Sequence, residues 1–348
     1  MGPGGGEEQI AGSQAVKGEA LEEVQTMDGL PRGATFKRIK TLWEIGLHIA
    51  GDAAARRTAN REMYLAVGSG SGENFQPSLR MATGSPLLAH AVARNELDVA
   101  IMNPSGLLTQ AYRGKGIFSE PLPVRVLASY PSWDRFVILV HPRTGIKSIA
   151  QLKEQRRPLR ISLRKDPAHA TRILIDQILI EYGMTLNDLE SWGGSFHMID
   201  SPSDKNRLEG VRDGTIDAVF DEGISTWFEP SLAAGLEPIT LDEPVLRRLE
   251  LIGWRRAVIP AARFGFLKSD HVCLDFGGWP LYTRASLPEE QAYLICAALK
   301  EREPFIPWDE RDYTGLAQLG RDSEATPLDV PLHPGAERFY REQQDAGS

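Results

Sequence analysis

Two stretches of this chain repeat one pattern, and that pattern restricts the fold more than any other feature. Ala93 to Met102 reads ARNELDVAIM, and Val211 to Asp221 reads VRDGTIDAVFD. Each passes from a polar helix end or turn (Arg94-Asn95-Glu96, Arg212-Asp213-Gly214) to an apolar residue and a single Asp (Leu97-Asp98, Ile216-Asp217). The short runs that follow, Val99-Ala100-Ile101 and Ala218-Val219-Phe220, read as buried parallel strands. Each stops on a polar residue, Asn103 or Asp221, followed by turn formers. In open α/β sheets, ligands sit outside the carboxyl ends of the strands, which is where these stops fall. Two such units, well over a hundred residues apart, predict two lobes facing one cleft.

At 348 residues a chain buries about 75% of the surface its unfolded form exposes, and length favours two domains. The balance of 42% hydrophobic and 25% charged residues is that of an ordinary globular protein. A net charge of -8, with no basic run or basic–aromatic interleaving, argues against nucleic acid as the partner. Cys273 and Cys296 have neither CxxC nor metal-type spacing and read as two buried free thiols, with a disulfide as the alternative. No apolar stretch approaches the ~20 residues of a membrane span. The N-terminal residues lack the basic start and apolar core of a secretory signal, which leaves both a mature extracytoplasmic chain and an intracellular one open.

Residues 1 to 33, rich in Gly, Glu and Gln, read as disordered. Phe36 to Asn60 predicts an amphipathic helix with Leu42, Ile45, Ile49 and Ala53 on its stripe. Met63 to Val67 reads as a first strand leading into the loop Gly68 to Phe75. Ser85 and Pro86 have the residue types of a cap and first helical position, with Leu87, Leu88, Ala91 and Val92 as the buried stripe. Val124 to Tyr130 and Phe136 to Val140 read as strands. The chain is expected to cross between lobes near His141 to Ser148. Beyond it come a short helix (Ile149 to Lys153), a strand (Leu159 to Leu163), a helix opened by Asp166-Pro167 and ended by Gly183, and a strand (Phe196 to Ile199). The return is expected through Arg263 to Cys273, then a strand (Trp279 to Thr283) and a helix (Pro288 to Lys300). The expected fold is α/β, two lobes each with a mostly parallel sheet flanked by helices and joined by hinge strands. The first lobe takes residues 34 to 145, the second 146 to 265, and the return and tail 266 to 348.

Catalytic fingerprints fail. Gly68 to Gly72 reads G-S-G-S-G, without the third glycine of GxGxxG and without GK[ST]. A nucleophile elbow needs Ser at its centre, where Gly70 stands. The histidines are scattered, with no HExxH and no ligand cluster. No cofactor, metal or catalytic residue is assigned.

The order of segments resembles the TAXI-type solute-binding proteins of TRAP transporters, within the type II periplasmic binding proteins. The resemblance runs from about Met63 to Arg341. It rests on the Gly/Ser loop after the first strand, Thr83-Gly84-Ser85, NELDVAIMNPS at Asn95 to Ser105 and LASYP at Leu127 to Pro131. GIKSIAQLK at Gly145 to Lys153, GTIDAVF at Gly214 to Phe220 and PLHPGAERFYRE at Pro331 to Glu342 continue it. The chain departs from the family in lacking an export signal, and its second-lobe loop, Leu163 to Thr171, is not glycine-rich. The resemblance implies an extracytoplasmic receptor that captures a small solute, an organic acid or amino acid, and hands it to membrane transporter subunits.

In such a cleft, N–H groups near Ser71-Gly72, Ser85 and Ala168-His169, next to Thr171, would face an anion. Arg135 or Arg164 could clamp a carboxylate bidentately, Arg164 lying where the family's ligand loop falls. Asn74, Thr83, Asn103 and Ser105 could orient the solute, or serve as turn and cap residues. Phe75, Tyr130, Trp133 and Trp227 could supply apolar walls, or fill core. Asp221-Glu222 would oppose an anion or complement an amino group. Two alternatives stay open: a decarboxylase or lyase on this fold, with His169 and Asp166 or Glu222 as acid–base groups, and a cytosolic ligand sensor.

Overall fold

Both Asp-led runs form strands, and they lie in different sheets. The structure is a computed structural model describing residues 34–51, 64–65, 79–83 and 85–346. The first sheet holds β1 (Tyr64–Leu65), β2 (Arg80–Thr83), β3 (Val99–Ile101), β4 (Val124–Tyr130) and β12 (Trp279–Arg284), in the order β1-β2-β3-β12-β4. The second holds β5 (Arg135–Val140), β6 (Arg160–Arg164), β7 (Ser195–Ile199), β8 (Ala218–Asp221), β10 (Arg256–Ile259) and β11 (His271–Asp275). Their order is β10-β11-β5-β8-β6-β7, and β9 (Glu237–Ile239) also pairs with β5. Parallel pairing joins β1–β2–β3 and β7–β6–β8. The strands that carry the chain between sheets, β4, β5, β11 and β12, run antiparallel to their neighbours. The sheets are therefore mixed.

Helices α1 (Ala34–Gly51), α2 (Leu88–Ala93), α3 (Ser105–Arg113), α10 (Glu289–Glu301) and α11 (Pro334–Ala346) accompany the first sheet. Those between strands of the second are α4 (Ile149–Gln155), α5 (Ala170–Glu181), α6 (Leu186–Ser191), α7 (Lys205–Asp213), α8 (Ile224–Ala233) and α9 (Glu243–Ile252). Strand alternation splits the core. On β5, Phe136, Ile138 and Val140 join a cluster with β6 and α5, while Val137 and Leu139 face α8. On β3, Val99 and Ile101 pack with the α1 stripe Leu42, Ile45 and Ile49, and Ala100 faces the opposite way, as a period of two requires. Trp254 and Phe276, stacked with centroids 6.1 Å apart, join Leu107 and Leu108 of α3 to the second-sheet core.

Several expectations need correcting. The chain changes sheet at Pro131–Asp134, not near His141–Ser148, because β5 is already bonded to β8, β9 and β11 of the second sheet. It returns at Phe276–Gly278, after β11, so Arg263 to Cys273 belongs with the second sheet. The two crossings are tied by Phe276 N–H to Asp134 O (3.0 Å) and Gly278 N–H to Ser132 O (2.9 Å). Gly278 has φ +67, and a Cβ on Gly277 would stand 2.6 Å from Ser132 O, so the paired crossings demand glycine there. Helix α2 starts at Leu88 rather than after Ser85, because Ser85 Oγ accepts Leu87 N–H (3.2 Å) and closes a turn first. Leu87, placed on the buried stripe, is 57% exposed. Asp166 likewise closes a turn by accepting Ala168 N–H (2.9 Å), and His169 is the cap of α5. Cys273 and Cys296 are both buried and free. The segment 1–33, Ala53 and the loop with Ser71, Gly72, Asn74 and Phe75 lie outside the described residues.

Candidate functional site: a cavity between the sheets

The carboxyl end of β3 and the start of α5 meet across one cavity of about 260 Å³. Ser85 and Asn103 line it from the first sheet, and Asp166, Ala168 and His169 from the second. Pro86, Ile101, Met102, Ala170 and Phe276 supply apolar wall, and Arg38 of α1 supplies a cation. Burial pushes the Arg38 guanidinium down to about 10, against the pull of Glu222, so it stays charged at neutral pH. Its Cζ lies 5.5 Å from the centre of the Trp279 ring.

His169 Nδ1 accepts Thr171 N–H at 3.2 Å, which leaves the proton of the neutral ring on Nε2. Burial lowers the His169 pKa below the ordinary imidazole value, with Arg164 adding to the fall and Glu222 opposing it. The neutral ring is therefore favoured. Asn103 Oδ1 is buried with no hydrogen-bond partner among the described residues. A buried acceptor left unmatched costs about 1–3 kcal/mol, so the cavity favours an occupant that brings a donor. The start of α5 adds the positive end of a helix dipole.

Behind His169 lies a buried ionic network. Arg164 Nε donates to Asp221 Oδ1 (2.9 Å), its Nη1 to Asp200 O (3.0 Å), and its Nη2 to Glu222. Arg207, fully buried, pairs with Asp221 Oδ2 (2.7 Å) and donates from Nε to Ser162 Oγ (2.9 Å). Burial raises Asp221 although both arginines oppose it. Burial would raise Glu222 too, but Arg164 and a hydrogen bond with Asp134 hold it below its usual range. Asp134, in the first crossing, accepts Arg135 N–H (2.8 Å) and Gly223 N–H (2.9 Å). Burial and the neighbouring Glu222 push it well above the usual carboxylate range.

The sequence-predicted residues divide clearly. Ser85, Asn103 and His169 line the cavity. Arg164, Asp221 and Glu222 form the network behind it, and the guanidinium of Arg164 is engaged by protein acceptors instead of facing the cavity. Arg135 is buried at the crossing on Asp275 (2.7 Å) and Glu324 (3.1 Å), 4.3 Å from the Trp133 ring. Trp133 Nε1 donates to Glu324 (3.0 Å). Tyr130 stacks on Trp279 and Trp308 in the first-sheet core, and Trp227 is buried under Arg207. Thr83 Oγ1 donates to Ile101 O (3.3 Å) and Ser105 Oγ to Gly277 O (3.0 Å), as strand and turn chemistry. Thr171 is buried at the α5 start, its Oγ1 unmatched among the described residues.

Sequence reasoning missed Arg38, Met102 and Phe276. Arg38 had a readable signal: it stands at i−4 from Leu42 on the stripe of Leu42, Ile45 and Ile49, so its side chain starts on the buried face. Among the described residues, no group of His, Cys, Asp and Glu is placed to hold a metal, and no helix is long and apolar enough to cross a membrane.

The NMT1-like family model matches residues 65–343, and the chain belongs to that family. Among solved structures it is similar to the alkanesulfonate-binding protein SsuA from Xanthomonas axonopodis pv. citri bound to MOPS, at 14% identity, over 88% of this chain and 81% of that one, with a TM-score of 0.31. The periplasmic sulfonate-binding protein SsuA from Methylobacillus flagellatus KT is 14% identical over 76% of this chain and 72% of its own, with a TM-score of 0.34. An ancestral arginine-binding protein bound to arginine is 13% identical over 63% of this chain and 70% of its own, with a TM-score of 0.27.

Proposed function

We propose that this NMT1-like protein is a solute-binding receptor, holding a small carboxylated solute between its two sheets and delivering it to membrane transporter subunits. The observation that carries the reading is the cavity itself, where Asn103 from one sheet, His169 from the other and the Arg38 cation converge. A carboxylate would take Arg38 and His169 Nε2–H as donors, and the burial of both groups would strengthen the bonds. Asn103 Oδ1 would accept from a hydroxyl or amino group of the same molecule. Arg164 acts indirectly, fixing Asp221 and Glu222. The two hydrogen-bonded crossings are the hinge about which the lobes, 34–130 with the returning segment and 135–275, would open and close. Delivery of TRAP type from an extracytoplasmic compartment, as the resemblance to the TAXI proteins implies, is the finer form of this proposal.

A second reading, an enzyme on the same fold, is favoured by one observation: His169 and Asp166 line the same cavity as Arg38. A thermal-shift and tryptophan-fluorescence screen of small carboxylates and neutral analogues, with mass analysis of each mixture, tests both. Stabilisation by a carboxylate recovered unchanged is expected, as is an affinity loss of about tenfold or more in Arg38→Ala. A converted ligand would favour the enzyme, and no stabilisation by any solute would overturn the receptor.

A further inference from the structure

We infer that the second sheet carries a binding site of its own, for a small neutral molecule with an apolar body and a hydroxyl group. This site shares no lining residue with the cavity between the sheets, and it stands whether or not the receptor reading does. Its origin is a change of partner along one edge of β5, the edge away from β8. There β11 pairs only through Leu274 with Phe136 and Asp275 with Arg135. Farther along, Ile138, Leu139 and Val140 take β9 instead, opposite Ile239, Pro238 and Glu237. The first residues of β11 stay with β10, His271 opposite Ile259 and Val272 opposite Val258. Beside β9 and the start of β11 lies a cavity of about 360 Å³, closed by the end of α8 and by residues 266–270. Small-molecule sites occupy roughly 300–1,000 Å³.

The lining sets the class of occupant. Leu236, Pro238, Phe266 and Leu267 give apolar wall, while the charged members, Glu237, Lys268 and Asp270, are all exposed. Glu237 and Lys268 answer each other (2.9 Å), and Asp270 accepts Ala261 N–H (2.8 Å). The buried polar member is His271, 6% exposed. Its Nδ1 meets Thr240 Oγ1 at 3.5 Å, and its Nε2 is buried with no hydrogen-bond partner among the described residues. Burial pushes the ring down to about 4, so it is neutral at working pH and offers an anion no charge. In a neutral imidazole one nitrogen donates and the other accepts, and the tautomer decides which role falls to Nε2. A hydroxyl both donates and accepts, so it satisfies Nε2 in either tautomer, whereas a carbonyl satisfies only one. Leaving a buried polar group unmatched costs stability, so an occupant that brings a hydroxyl to the ring is favoured. Phe266 is 58% exposed, and the body of the same molecule would cover part of that apolar surface.

Phenol and toluene, alike in shape and different in the hydroxyl, are the probes. Each is titrated into the full chain at pH 7, with the histidine ring nitrogens followed by ¹⁵N NMR. Phenol should shift the His271 ring signals saturably and bind about fivefold more tightly than toluene, the worth of one neutral hydrogen bond. His271→Phe keeps a ring of similar size without the nitrogen, so phenol should fall to the affinity of toluene. Should His271→Phe not fold, Phe266→Ala, at an exposed position, should weaken both probes several-fold. The inference is overturned if phenol does not bind, if it leaves the His271 signals unmoved, or if it binds no better than toluene. It is equally overturned if phenol keeps its advantage in His271→Phe, or if Phe266→Ala binds both probes as wild type does. None of these results bears on the carboxylate screen, so the receptor reading is tested separately.

Discussion

Asp98 in the first sheet and Asp217 in the second make matching contacts. Asp98 accepts Arg80 N–H (2.8 Å) and Arg80 Nε–H (3.1 Å), and Asp217 accepts Arg160 N–H (3.0 Å) and Arg160 Nε–H (2.8 Å). In return, Asp98 N–H donates to Arg80 O (2.9 Å) and Asp217 N–H to Arg160 O (2.8 Å). Each Asp thus locks the entrance of its strand to the first residue of the parallel neighbour. The exits differ. After β3 the chain reaches Asn103, whose Oδ1 is unmatched among the described residues and which lines the cavity. At the end of β8 stand Asp221, its last residue, and Glu222, engaged by Arg164 and Arg207. One unit therefore ends in two ways: an end with an unmatched acceptor on the cavity, and an end closed by internal charge.

The largest test of that contrast is the cost of emptying each exit. Asp221 is fully buried between two arginines, and breaking a buried pair from one side leaves uncompensated charge, at about 3–5 kcal/mol. Asp221→Ala should therefore unfold at much lower urea than wild type. A loss under about 1 kcal/mol would mean that water or rearrangement screens Arg164 and Arg207, and that the β8 exit is not closed.

The entrances should respond alike. Burial alone would raise Asp217, but its bonds from Arg160 and Arg143 hold it down at about 2; Asp98 is lowered in the same sense by Arg80 and Arg284. Both folded values lie below the unfolded ones. Their stabilisation is therefore present above the ordinary Asp value and is lost as pH falls through the folded values. Because Arg160 and Arg143 are 46% and 38% exposed, screening trims the effect at Asp217 to about 1 kcal/mol. Asp98→Asn and Asp217→Asn should cost similar amounts at pH 7 and flatten the acid limb of a denaturation profile. Unequal losses would break the equivalence of the two units.

These units were readable because the polar turn, single Asp and apolar run recur in order, and the register of a half-buried strand follows from its period. The exits were only partly readable. Asn103 and Asp221 were both marked as strand ends, but nothing local to Asp221 announces that Arg164 and Arg207, distant in sequence, converge on it. The same distance hid the partners of Arg164, which are Asp221 and Glu222 at the end of β8 and the carbonyl of Asp200. The crossings were misplaced because β5 and β11 are apolar runs that suit either sheet, and only pairing decides. Arg38 was passed over because a charge at the head of an amphipathic stripe reads as a solvated helix end.

The smallest expected effect on stability falls at the other exit. Asn103→Ala removes a carbonyl that has no hydrogen-bond partner among the described residues, so the folded state loses no bond seen there, and stability should change by under about 1 kcal/mol. Its cost should appear in binding instead. A solute whose hydroxyl or amino group donates to Oδ1 would lose about 1 kcal/mol, roughly fivefold in Kd, while an analogue lacking that donor would be held equally by both proteins. Measuring both solutes against both proteins isolates the pairwise contribution. If the two analogues lose affinity equally, Asn103 shapes the wall without reading the solute, and the two strand ends differ in charge alone.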